Sequence, residues 1–490
     1  MTVLALGGQF YKSDSLPVAA QECVNLYLNK AQAVTPFSEN LFPTPGIKTG
    51  TTVGTDTFNR GVHVFQGVPY VVNGNDLYRI DRATDSFGVD SYSSTRVNGA
   101  TTIPGTGRVI MSDNGAQGDQ ICIVLPDQTN TFNAYTFTIA GGLVQISDSD
   151  FDGPVSSVDY VDGYFIFAKQ DSQKFFNSNL RNGTAYTATD FVLVEADPDS
   201  LVRMFVLNNE AIGLGTETFE PFQNIGGAGF PFQRVAGGVQ TKGLASKFAI
   251  VEVNNLMVFL GSSINETPSI WISDGGRPQK LSTTAIDNAI SGYSDATISG
   301  AFAYKYSQAG AQFIVFTFPE EETFVYDFTS EEWHTRESVD GSNNIIPYRV
   351  SGVMDAYGVL MVGDSISENI GVMDRGTFTE YGIILRRRFV IPYVDNEGQP
   401  FWVDSLELYG ESGVGLTSGQ GSDPQVLMSF SVDGARTFNK RIPRSIGKIG
   451  EYTKRTIWNS LGRISRNITI KFEVSDPVKY VFSRVEIIAE

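Results

Sequence analysis

The sequence predicts an all-β protein: a β-propeller of six or seven blades with an N-terminal extended arm and a C-terminal β-sandwich-like module. Three observations predict it. The 490 residues include 50 Gly and 20 Pro among many β-branched and aromatic residues, a mixture that favours short strands joined by tight turns. A hairpin pattern recurs through the middle of the chain at nearly constant spacing. That period is absent from about the first 50 residues and breaks after about residue 380.

The recurring hairpin is the strongest of these signals. Most repeats have an apolar run, a turn of Asn, Asp, Gly or Gln, and a second apolar run, which indicates a β-hairpin. The turn centres lie near residues 67, 116, 162, 208, 254, 310 and 357, and all but one of the intervals are 46 to 49 residues long. Repeats of about 40 to 50 residues are typical of propeller blades. A large β-sandwich with irregular loops is the alternative that the pattern leaves open.

These observations divide the chain into three segments. Residues 1–55 are predicted to form the arm, because Pro43 and Pro45 in "LFPTPGI" restrict the backbone to extended conformations. Residues 56–380 form the propeller. Residues 381–490 form the C-terminal β module, with strands predicted in "RRRFVIPY", "FWVDSLELYG", "QVLMSFSVD", "NITIKFEV" and "KYVFSRVEII". The best helix candidate is the short segment "TAIDNAISGY".

Composition excludes several classes of protein. No segment approaches the ~18 consecutive apolar residues of a membrane helix, and the opening "MTVLALGGQFYKSDS" lacks the features of a signal peptide. Cys23 and Cys122 are the only cysteines, so we expect no disulfide framework and synthesis in a reducing cytoplasm. The net charge of −18 argues against a protein that binds nucleic-acid phosphates over its whole surface.

No constellation of catalytic or metal-binding residues is found. His63 has the alternation of a strand residue and is expected to be packed, whereas His334 is expected in a surface turn. The acidic segment "DSDFDG" lacks the distal Glu of a calcium loop. The sequence therefore predicts no catalytic, cofactor-binding or metal site, and no enzyme.

One motif predicts a structural turn. The segment "SVDGARTF" closely resembles the Asp-box of sialidases and many other β proteins, with Ser431, Asp433, Thr437 and Phe438 at the matching positions. Ala435 stands where Gly is usual. The Asp433 carboxylate is expected to accept backbone N–H bonds, with Phe438 packed beneath it.

The charge changes sign near the C-terminus. Residues 431–490 contain 12 basic and 6 acidic side chains, against 24 basic and 48 acidic in the rest of the chain. One interpretation is a solvated strand face; the other is a surface that meets an acidic partner or DNA phosphate. The candidate interface residues are Arg386, Arg387, Arg388, Lys448, Lys454, Arg455, Arg463 and Arg466.

Several segments resemble one family. "GSDPQVLMSFSVDGARTF", "SIGKIGEYTKRTIWNSLG" and "FEVSDPVKY" look like the C-terminal signature of the tail hub or nozzle proteins of short-tailed bacteriophages, also called packaged-DNA stabilisation proteins. "QECVNLYLN" and "LFPTPGI" resemble the start of the same group, and "VLNNEAIGLG" its middle.

The resemblance implies a structural virion protein that is assembled in the host cytoplasm. Such proteins form a ring, typically a hexamer, below the portal and its adaptor. The ring extends the DNA channel, retains the packaged DNA without sequence specificity, and carries a tail needle or tip and tailspikes or fibres. No membrane insertion and no cofactor are implied.

Two other functions remain open at this stage. A receptor- or glycan-binding propeller on the phage tail would present exposed aromatic side chains such as Tyr92, Tyr186 or Trp271 to sugars. A glycosidase would need a pair of carboxylates in a cleft.

Overall fold

The computed structural model describes residues 2–31, 33–55, 58–194, 198–227 and 229–489. Strands dominate the fold, which confirms the all-β prediction. The helices of this described part are short and lie at Gly115–Gly118, Thr284–Ser291 and Asp295–Gly300. The second of these coincides with the predicted helix, and its N-terminus is capped by the Thr283 hydroxyl, which accepts a hydrogen bond from the Ile286 N–H.

Seven blades surround one axis, and most are four-stranded antiparallel sheets. Blade 1 consists of Asn59–Phe65, Val68–Asn73, Asp76–Thr84 and Asp90–Arg96. Blade 2 consists of Ile110–Asp113, Ile121–Val124, Ala134–Thr138 and Gly142–Gln145. Blade 3 consists of Val155–Val161, Tyr164–Lys169, Lys174–Asn179 and Asn182–Leu193. Blade 4 consists of Leu201–Leu207, Glu210–Gly215, Phe219–Asn224 and Phe232–Arg234. Blade 5 consists of Gly243–Leu244, Ile250–Val253, Leu256–Ser262, Ser269–Ser273 and Gln279–Lys280.

Blades 6 and 7 complete the ring. Blade 6 consists of Phe302–Gln308, Ala311–Thr317, Thr323–Asp327 and Glu332–Val339, with Ile345–Pro347 paired to its last strand. Blade 7 takes three strands from the end of the propeller sequence and one from its beginning: Val350–Ala356, Val359–Asp364, Asn369–Asp374 and Gly46–Thr52. Two further short strands, Thr379–Glu380 and Ile383–Ile384, extend this sheet. Pairing the first strand with the last blade closes the ring and leaves no open end.

The hairpin turns form where the sequence predicted them. Asn208 and Asn209 have φ of 51° and 65°, and Asn254 and Asn255 have φ of 50° and 62°. Two consecutive residues with positive φ make the turn whose twist matches that of the flanking strands, and Asn tolerates this conformation.

The sequence period reappears as contacts between neighbouring blades. The Asn209 amide donates to the Asp162 carboxylate at 2.9 Å, and the Met204 N–H donates to the Ser157 hydroxyl at 2.9 Å. Both pairs are 47 residues apart. Equivalent positions of successive blades therefore touch, as expected when each repeat buries one face against the next.

The C-terminal body is a sandwich of two sheets. The first sheet contains Thr2–Leu4, Leu26–Lys30, Glu39–Pro43, Phe401–Gly410, Thr456–Ile464 and Phe482–Ala489. The second contains Cys23–Val24, Arg387–Asp395, Gln425–Ser431, Ile442–Ser445 and Asn467–Val474. Between them lies one apolar core, in which the Phe389 and Phe472 rings stack with centroids 5.2 Å apart.

The two bodies share one continuous sheet. The strand Cys23–Val24 pairs in parallel with the last strand of blade 6 and antiparallel with Arg387–Asp395 of the sandwich. The chain therefore divides differently from the predicted ranges. Residues 1–55 do not form a separate arm: they supply the closing strand of blade 7, several strands of the sandwich and a small hairpin of Tyr11–Lys12 with Ala20–Gln21.

Candidate docking surfaces and the propeller axis

The predicted structural turn lies at the end of the strand Gln425–Ser431. The Asp433 Oδ1 atom accepts the backbone N–H groups of Arg436 and Thr437, each at 3.0 Å. The hydroxyls of Ser431 and Thr437 also donate to this carboxylate, each at 2.6 Å. These hydrogen bonds, led by those of the two hydroxyls, hold the pKa of Asp433 well below its usual range.

The turn tolerates Ala435 and supports a neighbouring segment. Ala435 has a φ of 64°, and its N–H donates to the Ser431 hydroxyl at 3.0 Å. Pro17 packs so closely on Gly434 that a Cβ there would lie 2.7 Å from the Pro17 Cγ. The half-buried Phe438 ring lies beneath the Lys471 ammonium group. This geometry gives the motif a packing role.

Arg387 does not lie on a free surface, contrary to its place among the candidate interface residues. Its side chain is completely buried and donates to the carbonyl groups of Val478 at 2.6 Å and Asp476 at 2.5 Å. Burial lowers the pKa of Arg387 to about 10. The residue supports the loop before the last strand of the sandwich.

Arg388 also makes internal contacts. Its guanidinium group pairs with Glu22 at 3.1 Å and with Glu337 at 2.6 Å, so it joins the N-terminal segment, blade 6 and the sandwich. Arg386 is half-buried and donates to the Asn343 side-chain oxygen at 2.9 Å. Sequence reasoning missed these roles because the partners lie between 43 and 366 residues away along the chain.

The other five candidate residues are exposed: Lys448, Lys454, Arg455, Arg463 and Arg466. Arg455 forms a bidentate pair with Glu407, with N–O distances of 2.8 and 2.5 Å. Within the described ranges, no carboxylate lies within 4.0 Å of the other four cations.

We call residues 446–455 the docking loop. It presents Lys448 and Lys454 together with two exposed apolar side chains, Ile449 and Tyr452, which are 58% and 75% exposed. The Ser412 hydroxyl donates to the Lys454 carbonyl at 3.0 Å, and two backbone bonds join Gly413 to the loop. Its shape is thus fixed by the neighbouring loop. Within the described ranges its two lysines have no internal counter-ion, whereas its Arg455 is paired with Glu407. Such a surface suits an acidic partner.

The axis of the propeller is crossed by side chains. Arg108, which precedes the first strand of blade 2, reaches the Ser351 carbonyl of blade 7 and stacks 3.7 Å from the Phe302 ring of blade 6. Lys247 of blade 5 donates to the Pro126 carbonyl at 3.4 Å, on the far side of the ring. These two cations therefore link blades that are not neighbours in the ring.

The two histidines occupy different environments. The His63 Nε2 lies 2.7 Å from the Asp113 carboxylate in a half-buried inter-blade contact. His334 is buried inside blade 6, not in a surface turn, so that expectation was wrong; burial lowers its pKa to about 3 and keeps it neutral.

Other groups of possible chemical interest are internal. Cys23 and Cys122 are buried, and burial raises the pKa of both thiols. Asp152 of the acidic segment "DSDFDG" pairs with Lys169 and Lys174, each at 2.5 Å. Among the residues with described positions, no cluster of three His, Cys, Asp or Glu side chains could hold a metal ion. No described helix is long and apolar enough to cross a membrane.

The aromatic residues proposed for sugar stacking are poorly placed. Tyr186 is only 5% exposed and packs against Phe151, with ring centroids 4.9 Å apart. Trp271 is half-buried under the Lys242 ammonium group. Tyr92 is half-buried in blade 1.

Comparison with known proteins gives two family matches that meet near the junction of the two bodies. Residues 1–378 match the model of "Bacteriophage P22 Gp10, beta-propeller", and residues 386–490 match "Bacteriophage P22 Gp10, beta-sandwich". No curated protein matches the chain.

Three solved structures are similar to the chain at low sequence identity. A computationally designed protein, Ika8, is 8% identical with a TM-score of 0.36 and covers 66% of this chain and 99% of its own. The N-terminal domain of Nup159 is 11% identical with a TM-score of 0.39 over 72% and 99%. The β-propeller domain of Myceliophteria thermophila Cps50 (Swd1) is 8% identical with a TM-score of 0.38 over 66% and 98%.

Proposed function

This chain belongs to the bacteriophage P22 Gp10 family, and from that premise we propose that it forms the ring-shaped tail hub or nozzle below the portal and adaptor. The family makes it a structural protein of the phage tail. In the proposed role the ring is a hexamer that extends the DNA channel, retains the packaged genome and releases it at ejection. A tail needle or tip and tailspikes or fibres attach to it.

The observation that carries the proposal is the family match over both bodies, 1–378 and 386–490. The structure supports it physically. The propeller and the sandwich are joined by hydrogen-bonded strands, so a force on one body is transmitted to the other through a sheet. That construction suits a fixed part of a conduit.

The side chains that cross the propeller axis restrict where DNA could pass. Because Arg108 and Lys247 cross the axis, the proposed DNA path runs between the subunits of the ring. The bulk of the chain is acidic, with 48 acidic and 24 basic side chains before residue 431. Acidic walls repel phosphates and let DNA slide, since each cation–phosphate contact would add a salt-dependent hold.

The docking loop supplies the proposed contact with an acidic neighbour in the tail. Its two lysines have no carboxylate partner within the described ranges, and its exposed Tyr452 is the kind of aromatic residue that is enriched at protein interfaces. The neighbour is proposed to be an adjacent tail component, with DNA phosphate as the alternative partner.

DNA retention tests the proposed role directly. Virions are assembled without this chain, and filled and empty heads are counted by electron microscopy. Heads that package DNA and then empty are the expected result. Heads that stay full but fail to adsorb to the host would assign the chain to receptor recognition instead.

A charge-reversal experiment tests the docking loop. Replacing Lys448, Lys454 and Arg455 by Glu should block joining of the chain to the tail at physiological salt, because the loop would then repel an acidic partner. The control reverses three exposed propeller cations, Arg181, Arg277 and Arg375, with the same net change. If both triple variants join the tail equally well, as measured by sedimentation, the loop is not the contact.

A further inference from the structure

An apolar cavity of about 670 Å³ opens beside Arg108 at one end of the propeller axis. Its wall is apolar and comes from several blades, and its rim carries the exposed Ile366. We call it the axial pocket. It is lined by Phe58, Phe248, Phe302, Pro319, Ile346, Pro347, Tyr348 and Ile366, together with Arg108, Glu320 and four smaller residues.

Arg108 gives this apolar pocket a positive charge. Its guanidinium group lies over the Phe302 ring, and burial lowers its pKa to about 10. In the described part of the chain, no carboxylate lies within 4.0 Å of it; Glu320 lines the same pocket but is exposed. Arg108 is half-buried. A partly desolvated cation without a counter-ion is costly, and an anionic group that enters the pocket would offset this cost.

Several buried polar groups near Tyr348 have no hydrogen-bond partner among the described residues. Tyr348, which lines the pocket, is completely buried, and its hydroxyl has no partner among the described residues. The same holds for the hydroxyls of Tyr304 and Ser351 and for two guanidinium nitrogens of Arg336, which lies 3.7 Å from the Tyr348 ring. The Glu380 Oε1 atom lies 3.9 Å from the Arg336 guanidinium group but accepts no hydrogen bond in this group. Buried polar atoms without hydrogen bonds are rare in folded proteins, and the Arg336 nitrogens among them can only donate.

We propose that the axial pocket binds a peptide segment of another tail protein, in which a carboxylate adjoins an aromatic or aliphatic side chain. The carboxylate meets Arg108, and the apolar side chain fills the space between Phe58, Phe248 and Ile366. A polypeptide fits better than a free small molecule because the apolar surface continues outside the pocket at Ile345 and Ile366, which are 52% and 44% exposed. A chain that runs on past the pocket would cover them.

The chemistry of the site is tested on the full chain with 3-phenylpropionate as the probe, by ligand-observed NMR. We expect saturable binding, and about tenfold or more weaker binding of 3-phenylpropionamide, which has the same shape without the charge. Arg108→Gln should remove the difference between the two probes, and Arg108→Lys should restore part of it.

Arg203→Gln is the matched control. Arg203 also donates across to a carbonyl near the axis, that of Lys247 at 2.5 Å, but it does not line the axial pocket. Thermal unfolding of each variant shows whether it is folded. Equal binding of the two probes, no binding of either, or unchanged binding by folded Arg108→Gln would overturn the proposal.

The occupant is identified in assembled tails with a photo-crosslinking amino acid at position 366. A crosslink to a segment of another tail protein with a carboxylate beside an apolar side chain is the expected result. A crosslink to DNA, to a second copy of this chain or to a segment without a carboxylate would overturn the proposal, as would no crosslink. Because this readout does not depend on DNA retention, it can fail while the hub function stands.

Discussion

Replacing Asn25 by Ala is expected to loosen the junction between the propeller and the sandwich. Asn25 is completely buried and has a φ of 54°. Its side-chain amide donates to the Glu337 carbonyl of blade 6 at 3.0 Å and to the Arg386 carbonyl next to the sandwich at 2.7 Å. Its side-chain oxygen accepts the Glu337 N–H at 3.2 Å. One side chain thus hydrogen-bonds groups of both bodies.

The size of the effect follows from these bonds. Ala would leave two buried carbonyl groups and one N–H without these partners, at about 1 kcal/mol each at the low end of measured costs. An Ala in the left-handed conformation adds about 1 kcal/mol. The expected loss is therefore about 4 kcal/mol, and Asn25→Asp should also destabilise because a carboxylate cannot donate to the two carbonyls.

The assay is chemical denaturation of the isolated chain, followed by circular dichroism and by proteolysis at the junction. Asn265→Ala is the control, since Asn265 has a φ of 58° but lies in an exposed loop. Asn265→Ala should lower the free energy of unfolding by only ~1 kcal/mol, the cost of placing Ala in the left-handed conformation. If Asn25→Ala is no less stable than Asn265→Ala, the hydrogen bonds of Asn25 do not hold the junction.

Three further predictions concern single residues. His334→Phe should flatten the pH dependence of the free energy of unfolding between pH 6.5 and about 3. Burial lowers the pKa of His334 in the folded protein from 6.5 to about 3, so the unfolded state binds more protons in this range. The free energy of unfolding of the wild type therefore falls by up to ~1.4 kcal/mol per pH unit as the pH falls. An unchanged slope in urea titrations would contradict this. Arg387→Lys should lower the free energy of unfolding by about 2 kcal/mol, because an ammonium group cannot donate to both the Val478 and the Asp476 carbonyl in the same geometry. Arg463 is exposed, so Arg463→Lys should leave the stability nearly unchanged in the same titrations. Asp433→Ala should lower the free energy of unfolding at neutral pH, and this difference from wild type should shrink as the pH falls below about 4. The reason is that the pKa of Asp433 is lowered in the folded protein, so that protonation of the carboxylate removes its contribution to stability. A difference that does not change with pH would show that the charged carboxylate is not the source of the stability.

Much of the propeller was predictable because its signals are local. A turn with two Asn residues between apolar runs needs only neighbouring residues to form, and the period of the turns follows from repeated blades. The helix at Thr284–Ser291 was also predictable, since Thr283 caps it locally. The count of seven needed the structure, because the closing strand Gly46–Thr52 comes from outside the periodic region.

The roles of the charged residues at the junction depend on contacts that no local pattern reveals. The arginines at 386, 387 and 388 are adjacent in sequence, yet Arg387 is buried while Arg388 pairs with two acids from different segments. Successive side chains of a strand point to opposite faces, and which face is buried depends on the partner strand. His334 shows the same limit: it was expected in a surface turn at the end of a hairpin, but its strand is paired on both sides.

The N-terminal segment is synthesised first, but its partners in the fold are synthesised much later. The strand Gly46–Thr52 is made more than 300 residues before Asn369–Asp374, its partner in blade 7. Leu26, Leu28 and Leu41 belong to the sandwich core together with Leu4, Leu6 and Cys23, and the other buried members of this core lie beyond residue 388. Neither body can therefore be completed until the last quarter of the chain exists, and such distant pairing is slow because the chain must first close a long loop. The termini are thus tied into one junction by strands of the same sheets, and deletion of the first 45 residues should expose the sandwich core while leaving the closing strand of the propeller in place.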